Sequence, residues 1–259
     1  MTVWLRSLAF NAAFVATTAL IGVLGLPVLL GPRHWSMRLG GFWARCVLRL
    51  LGGIAGLRGE VRGMGHLPTG SCLIAMKHQS AWDTLMLQAL LGDPAVVIKR
   101  ELLWIPFYGW YARRAGSIPV DRRGGGGALR GMVTAARRAA AEGRPIVIFP
   151  QGTRTAPGQP VPYQPGVAAL YQALDLPLVP AAVNSGLFWG RRSFLKRPGL
   201  SVLEFLAPIA PGLPRREVMA ELESRIETAT TALEAEAMTA YSGAGNQSSS
   251  PLPRIWSSE

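Results

Sequence analysis

The chain has 259 residues, 49% of them hydrophobic, and carries 27 Lys plus Arg against 15 Asp plus Glu, a formal charge of +12. Its two cysteines, Cys46 and Cys72, stand far apart in apolar runs, which excludes a disulfide framework and a cysteine zinc site. The basicity would suit nucleic acid, but the arginines are spread among apolar runs and no zinc-finger spacing or RNA-recognition aromatic block occurs, so nucleic acid is set aside in favour of an anionic membrane surface.

Residues 7–31 contain no charge, are mostly apolar and are flanked by Arg6 and Arg33. The run is long enough to cross a hydrocarbon core of about 30 Å. It reads as an anchor rather than a signal peptide, because only Arg6 precedes it and no small-residue cleavage site follows. Gly22, Gly25 and Pro27 weaken a straight helix and leave spanning and re-entrant forms open. Arg33, Arg38, Arg45, Arg49 and Arg58 all come before the first acidic residue, Glu60, which places the downstream chain on the cytoplasmic side of the inner membrane. Trp35, Phe42 and Trp43, interleaved with Arg38, Arg45 and Arg49, read as an interfacial helix. The apolar stretch 47–57 equally allows a fully buried packing helix. Residues 1–57 are therefore expected to form membrane-anchoring helices.

A short apolar run, 72–76, suits a buried strand, and 85–91 suits a helix. Between them His78 and Asp83 stand five positions apart. On one continuous helix they would lie about 140° apart, so they meet only if the chain turns at 79–81. Imidazole accepts a proton near neutral pH, and a carboxylate on its other nitrogen fixes the tautomer. The competing reading makes Asp83 a first-turn carboxylate opposing the helix macrodipole. Further on, 116–120 is an extended run that delivers Arg122, after Lys99 has closed an earlier segment. Residues 124–127 read as a flexible glycine loop before an Ala-rich helix ending near Gly143.

Residues 145–149 form a second buried-strand pattern that runs into a polar loop. There Gly152 permits close backbone approach, Thr153 supplies a hydroxyl, and Arg154 offers a planar fork suited to phosphate. A helix over 167–174, a proline-containing strand over 178–184 and a helix over 215–240 follow, the last with Glu217, Glu221, Glu223 and Glu227 near its start. Residues 241–259 read as a disordered tail. His34 and His66 lack acidic neighbours and no His-Glu-x-x-His pair occurs, so neither metal nor cofactor is called for. The recurrent order of strand then polar loop gives one α/β domain over 58–240, with ligands beyond the carboxyl ends of the strands.

Four of these segments, in this order, resemble the glycerolipid acyltransferase family, and within it the bacterial 1-acylglycerol-3-phosphate acyltransferases, over about residues 60–210. His78 and Asp83 match its His-x4-Asp block, and 116–122 match a second block whose closing arginine is linked to the acceptor phosphate. Residues 149–154 match the third block and 179–183 the proline-centred fourth. The resemblance implies a mixed sheet flanked by helices, with an N-terminal helical membrane anchor. It also implies transfer of an acyl group from acyl-CoA or acyl carrier protein to the 2-hydroxyl of lysophosphatidate, at membrane lipid, for phospholipid biosynthesis.

On this reading His78 is the base, Asp83 orients it, and Lys99, Arg122, Gly152, Thr153 and Arg154 bind substrate. Backbone N–H groups at the start of the helix after His78 are the expected oxyanion donors. Trp104, Ile105, Phe107, Tyr108 and Trp110 line an acyl tunnel or pack a core. One departure stands out: Gln151 occupies a position that is usually glutamate, which removes any carboxylate role there and leaves Arg154 without an adjacent negative partner. It keeps open a phosphate-free acceptor such as lyso-ornithine lipid, and a non-catalytic lipid-binding protein. A thioesterase, with water as acceptor, is a third alternative.

Overall fold

The computed structural model describes residues 2–121 and 124–245; Arg122 and the tail beyond Gly245 lie outside the described residues. Helix α1 (Val3–Leu24) begins at Thr2, whose hydroxyl accepts from the Leu5 N–H, and stops at Gly25. A tight turn over Leu26–Leu30 then carries Pro27 towards α2 (Arg33–Leu50). The uncharged stretch is thus broken where glycine and proline make continued helix most costly.

α1 is docked along its length. The Arg6 guanidinium donates to the Ile54 carbonyl, Phe10 meets Trp189 edge to face, Trp43 donates to Thr18, and Tyr111 donates to the Gly22 carbonyl. Its outward residues Trp4, Leu8, Val15, Leu20 and Leu24 are exposed. α2 buries Met37, Ala44 and Val47 and exposes Trp35 and Phe42, so it is neither buried all round nor free.

The sheet has seven strands: β1 (Leu57–Arg62), β2 (Leu73–Met76), β3 (Ala95–Lys99), β4 (Ile118–Val120), β5 (Ile146–Ile148), β6 (Leu178–Val183) and β7 (Gly199–Phe205). Their order is β1-β7-β6-β2-β5-β3-β4, with β6 and β7 antiparallel and every other neighbouring pair parallel. Strands β6, β2, β5, β3 and β4 therefore run one way, and the loops after them open on one edge. Pro180 sits inside β6, where the pairing shifts from Leu178 opposite Ile209 to Ala181 opposite Phe205. The irregularity absorbs the missing N–H.

Both faces of the central strands are covered, which is why they read as continuous apolar runs. In β2, Ile74 and Met76 pack towards Phe10, Val47 and Trp82 of α1, α2 and α3 (Ala81–Leu90). Leu73 and Ala75 pack towards α5 (Gly125–Ala141), α6 (Gly166–Leu174) and α7 (Arg215–Gly245), through Met132, Leu170 and Leu222.

Two boundaries differ from the sequence reading. Gly125 to Gly127 form the first turn of α5 rather than a loop, a place where N–H groups have no intrahelical partner in any case. α7 continues to Gly245, past residue 241 where the tail was expected. A larger correction concerns the aromatic run. Trp104, Ile105, Phe107, Tyr108 and Trp110 are 40–73% exposed, around α4 (Tyr108–Arg114), and so neither pack the core nor wall an enclosed tunnel.

Candidate active site

β2 ends at Met76, and three extended residues later Ser80 caps α3. The Ser80 hydroxyl accepts from the Trp82 N–H at 3.1 Å, and Asp83 reaches back to accept from the Ser80 N–H at 2.8 Å, a reciprocal cap. This is the turn that five-residue spacing required. It brings His78 Nδ1 to 2.8 Å from Asp83 Oδ2, with Asp83 fully buried. The same Asp83 oxygen thus caps the helix and meets the imidazole.

The same oxygen accepts from the Gln79 N–H at 2.7 Å, and the Ser185 hydroxyl donates to Oδ1. Four hydrogen bonds on a buried carboxylate hold it in one orientation. The N–H groups of Gln79, Ser80 and Trp82 are consumed in this cap. Those three are therefore engaged and are not free to serve as oxyanion donors.

The β5 loop closes over the imidazole. Phe149 stacks on His78, ring centroids 4.0 Å apart at 23°, and Thr155 donates its N–H to the His78 carbonyl at 2.8 Å. Gly152 turns with φ 68°, and its N–H returns to the Phe149 carbonyl at 2.9 Å. Arg154 Nε then lies 3.3 Å from His78 Nε2. Guanidinium only donates, so Nε2 carries a lone pair and the ring proton sits on Nδ1, towards Asp83. Burial pulls Arg154 down from its ordinary value, with the Asp83 charge opposing and the nearby Arg191 reinforcing the shift.

The other predicted residues are placed unequally. Thr153 lies on the same loop, partly buried. Lys99, two strands from β2, pairs with Glu101 at 3.2 Å rather than with the dyad. Arg122 lies outside the described residues.

Several residues at this edge were missed. Ser185 directly follows β6, the strand beside β2, and its signal was adjacency to a recognised segment. Glu227 was read only as part of the acidic start of α7 and Glu234 not at all, although a spacing of seven puts them on one face. Glu227 accepts from Lys77 Nζ at 2.5 and 2.7 Å, from the Tyr163 hydroxyl at 2.9 Å and from Gln151 Nε2 at 3.3 Å. Glu234 accepts from Gln79 Nε2 at 2.7 Å; burial raises its carboxyl, while the Gln79 hydrogen bond and the charge on Lys77 oppose this. Tyr163 is raised as well, by burial first and by Glu227 second. The negative charge absent from position 151 is thus present next to it, and Gln151 is bonded to it.

An acyltransferase family model matches residues 58–184. The chain is 35% identical to the 1-acyl-sn-glycerol-3-phosphate acyltransferase of Pseudomonas aeruginosa over 214 residues, 82% of this chain and 81% of that one. It is 32% identical to 1-acyl-sn-glycerol-3-phosphate acyltransferase alpha of Mus musculus over 174 residues, 65% and 61% of the two chains. The crystal structure of the 1-acyl-sn-glycerophosphate acyltransferase of Thermotoga maritima shares the fold, with a TM-score of 0.73, 20% identity, and 89% and 95% of the two chains covered.

Proposed function

The chain belongs to the acyltransferase family, and we propose that it moves a fatty acyl group from a thioester donor to the 2-hydroxyl of 1-acylglycerol-3-phosphate, giving phosphatidate for phospholipid synthesis. The observation that carries this reading is the imidazole of His78, held by Asp83 on one nitrogen and facing Arg154 with the other.

In the proposed reaction His78 Nε2 takes the proton of the glycerol hydroxyl as its oxygen attacks the thioester carbonyl. The C–O bond forms, the C–S bond breaks through a tetrahedral intermediate, and the imidazolium returns the proton to the leaving thiolate. Asp83 keeps Nδ1–H in place and supports the transient positive charge. No acyl-enzyme is required; Ser80, the nearest hydroxyl in sequence, accepts the Trp82 N–H as a helix cap.

Arg154 has two tasks in this reading. At rest its Nε–H occupies the lone pair of the base. An acceptor phosphate draws the guanidinium into a bidentate, charge-assisted pair and leaves Nε2 open to the hydroxyl. Arg191, whose charge reaches Arg154, supplies a second cation, and Lys99 closes β3, two strands from β2; Arg122 is kept as a phosphate ligand on the family resemblance alone. Gly152 and Thr153 shape the loop on which the phosphate rests.

The N-terminal helices and α4 form the membrane-facing side. Trp35, Arg38, Phe42, Arg45 and Arg49 fall within about 80° on α2 at 3.6 residues per turn, aromatic at one margin and cationic at the other. Arg45, Arg49 and Arg58 line an open groove of about 450 Å³ floored by Leu48, Leu57, Trp82 and Met86. Beside the end of α1, Leu30 is 90% and Trp104 73% exposed, with Arg113 stacked over Trp104. Exposed aromatic rings with arginines beside them suit an anionic leaflet and support the proposed location at the cytoplasmic face of the inner membrane.

The test compares acceptors. Free-thiol release by purified, detergent-solubilised protein is followed with acyl-CoA and with acyl carrier protein thioesters, against lysophosphatidate, lyso-ornithine lipid and water alone. Lysophosphatidate-dependent release with phosphatidate identified by mass is expected. Release without an acceptor would identify a thioesterase, and transfer confined to lyso-ornithine lipid would replace the acceptor proposed.

A further inference from the structure

The residues on either side of His78 are tied to the same distant helix. Lys77 donates to Glu227 and Gln79 donates to Glu234, two carboxylates two turns apart on α7. Glu227 also takes Gln151, on the loop that carries Arg154, and Tyr163, which follows that loop. Both loops at the reacting edge therefore share one anchoring carboxylate, although Glu227 lies 150 residues from Lys77 and 76 from Gln151.

The charges allow this arrangement and forbid its obvious alternative. Lys77 is 2% exposed and Gln151 3%, whereas the Glu227 side chain keeps 37% of its surface in water. A buried ammonium needs a counter-charge, and Glu227 provides it. Lys77, Glu227, the Tyr163 phenol and the Gln151 amide together sum to zero, and Glu234, which feels the charges of both Lys77 and Glu227, is the next carboxylate along α7. A carboxylate at 151 would face Glu227 Oε1 across 3.3 Å, adding a further negative group beside the Glu227–Lys77 pair. The orientation of the amide follows as well: only its nitrogen can meet the carboxylate, which turns Oε1 into the buried interior without a protein donor.

We propose that Glu227 is the positioning carboxylate of this active site, holding the His78 loop and the Arg154 loop in register, and that Gln151 is neutral because Glu227 fills that role from α7. The inference rests on the reading of His78 as base and Arg154 as phosphate anchor. Glu227 acts through Lys77 and Gln151 and touches no reacting atom.

A charge exchange tests it. Gln151→Glu adds a second carboxylate, Glu227→Gln removes the first, and the double variant Gln151→Glu with Glu227→Gln restores one carboxylate and one amide in swapped places. The assay is free-thiol release with lysophosphatidate, with thermal midpoints measured in parallel. Each single variant is expected to lose roughly tenfold in kcat, with a smaller change in the acceptor KM, and the double variant to recover most of that loss. Single variants at the wild-type rate, or a double variant no better than the poorer single, would overturn the proposal.

A merely structural role would lower the midpoints without restoring turnover in the swap. Tyr163→Phe, which removes one neutral donor and no charge, keeps the question open if Glu227→Gln does not fold: it should lose less than either charged variant. If the wild-type protein transfers no acyl group, the function proposed above fails. The charge exchange is then read from the midpoints alone, where non-additivity of the two changes is still required.

Discussion

The reacting edge of the sheet and the face made by α1, α2 and α4 are built on opposite terms. At the edge, polar groups are buried and engaged: Asp83, fully buried, accepts from His78, Gln79, Ser80 and Ser185. On the other face, large apolar groups are left in the open, from Leu24 at 71% to Leu30 at 90% exposed. Satisfied polar partners give a fixed geometry, which chemistry needs. Unsatisfied apolar surface gives attraction to a bilayer without fixed geometry, which anchoring needs. One region should fail by single atoms and the other by summed area.

The largest effect is expected from Asp83→Asn. The amide turns one acceptor oxygen into a donor amid four donors, and kcat should fall on the order of 10²- to 10⁴-fold. Vesicle binding should not change; a parallel loss of binding would show that the two regions are not separable. Arg154→Lys comes next. A lysine keeps the charge and loses the fork, so kcat/KM for lysophosphatidate should drop roughly 10- to 100-fold. An acceptor without phosphate should be affected far less, as competition between the two acceptors in one assay would reveal.

On the membrane side, the triple change Trp104→Ser, Phe107→Ser and Trp110→Ser should weaken sedimentation with anionic vesicles by about tenfold. Turnover of a short-chain, water-soluble acceptor should stay the same; a matching fall in turnover would return these rings to the substrate path. The smallest effect concerns Lys196, which joins the two regions by donating to Asn11 of α1 from within a ring of Phe10, Trp189 and Phe194.

Burial pulls the Lys196 ammonium down to about 8 from 10.5. Between those values the unfolded chain binds more protons than the folded one, so stability rises with pH across that window and the penalty is complete below it. Lys196→Met should flatten this dependence, by on the order of 1 kcal/mol after screening by water. Thermal midpoints across pH 7 to about 10.5 measure it.

The proposed reacting edge was more legible in the sequence than its supports. His78 and Asp83 were readable because strand, turn and capped helix are local events within a dozen residues. Gly152 and Arg154 followed for the same reason. Glu227 was not readable, because its partners lie across two layers of the fold and its own segment reads first as a helix with an acidic start. Arg45, Arg49 and the ring of exposed aromatics were visible as residues, but burial decided their meaning. Trp104 to Trp110 look the same in sequence whether they fill a core or lie at the surface, and only packing separates the two. The half-buried state of α2 is of the same kind, since its apolar and cationic positions fit either an interfacial or a packing helix until the sheet takes one side.

The most direct test of the central claim is product formation by wild type and His78→Ala under the same conditions, with acyl-CoA and lysophosphatidate and with products identified by mass. Phosphatidate from the wild type, reduced at least about 10²-fold in the variant while thermal midpoint and vesicle binding are unchanged, is the predicted result. Wild-type rates in the variant, or no transfer by the wild type to any lysolipid, would contradict it.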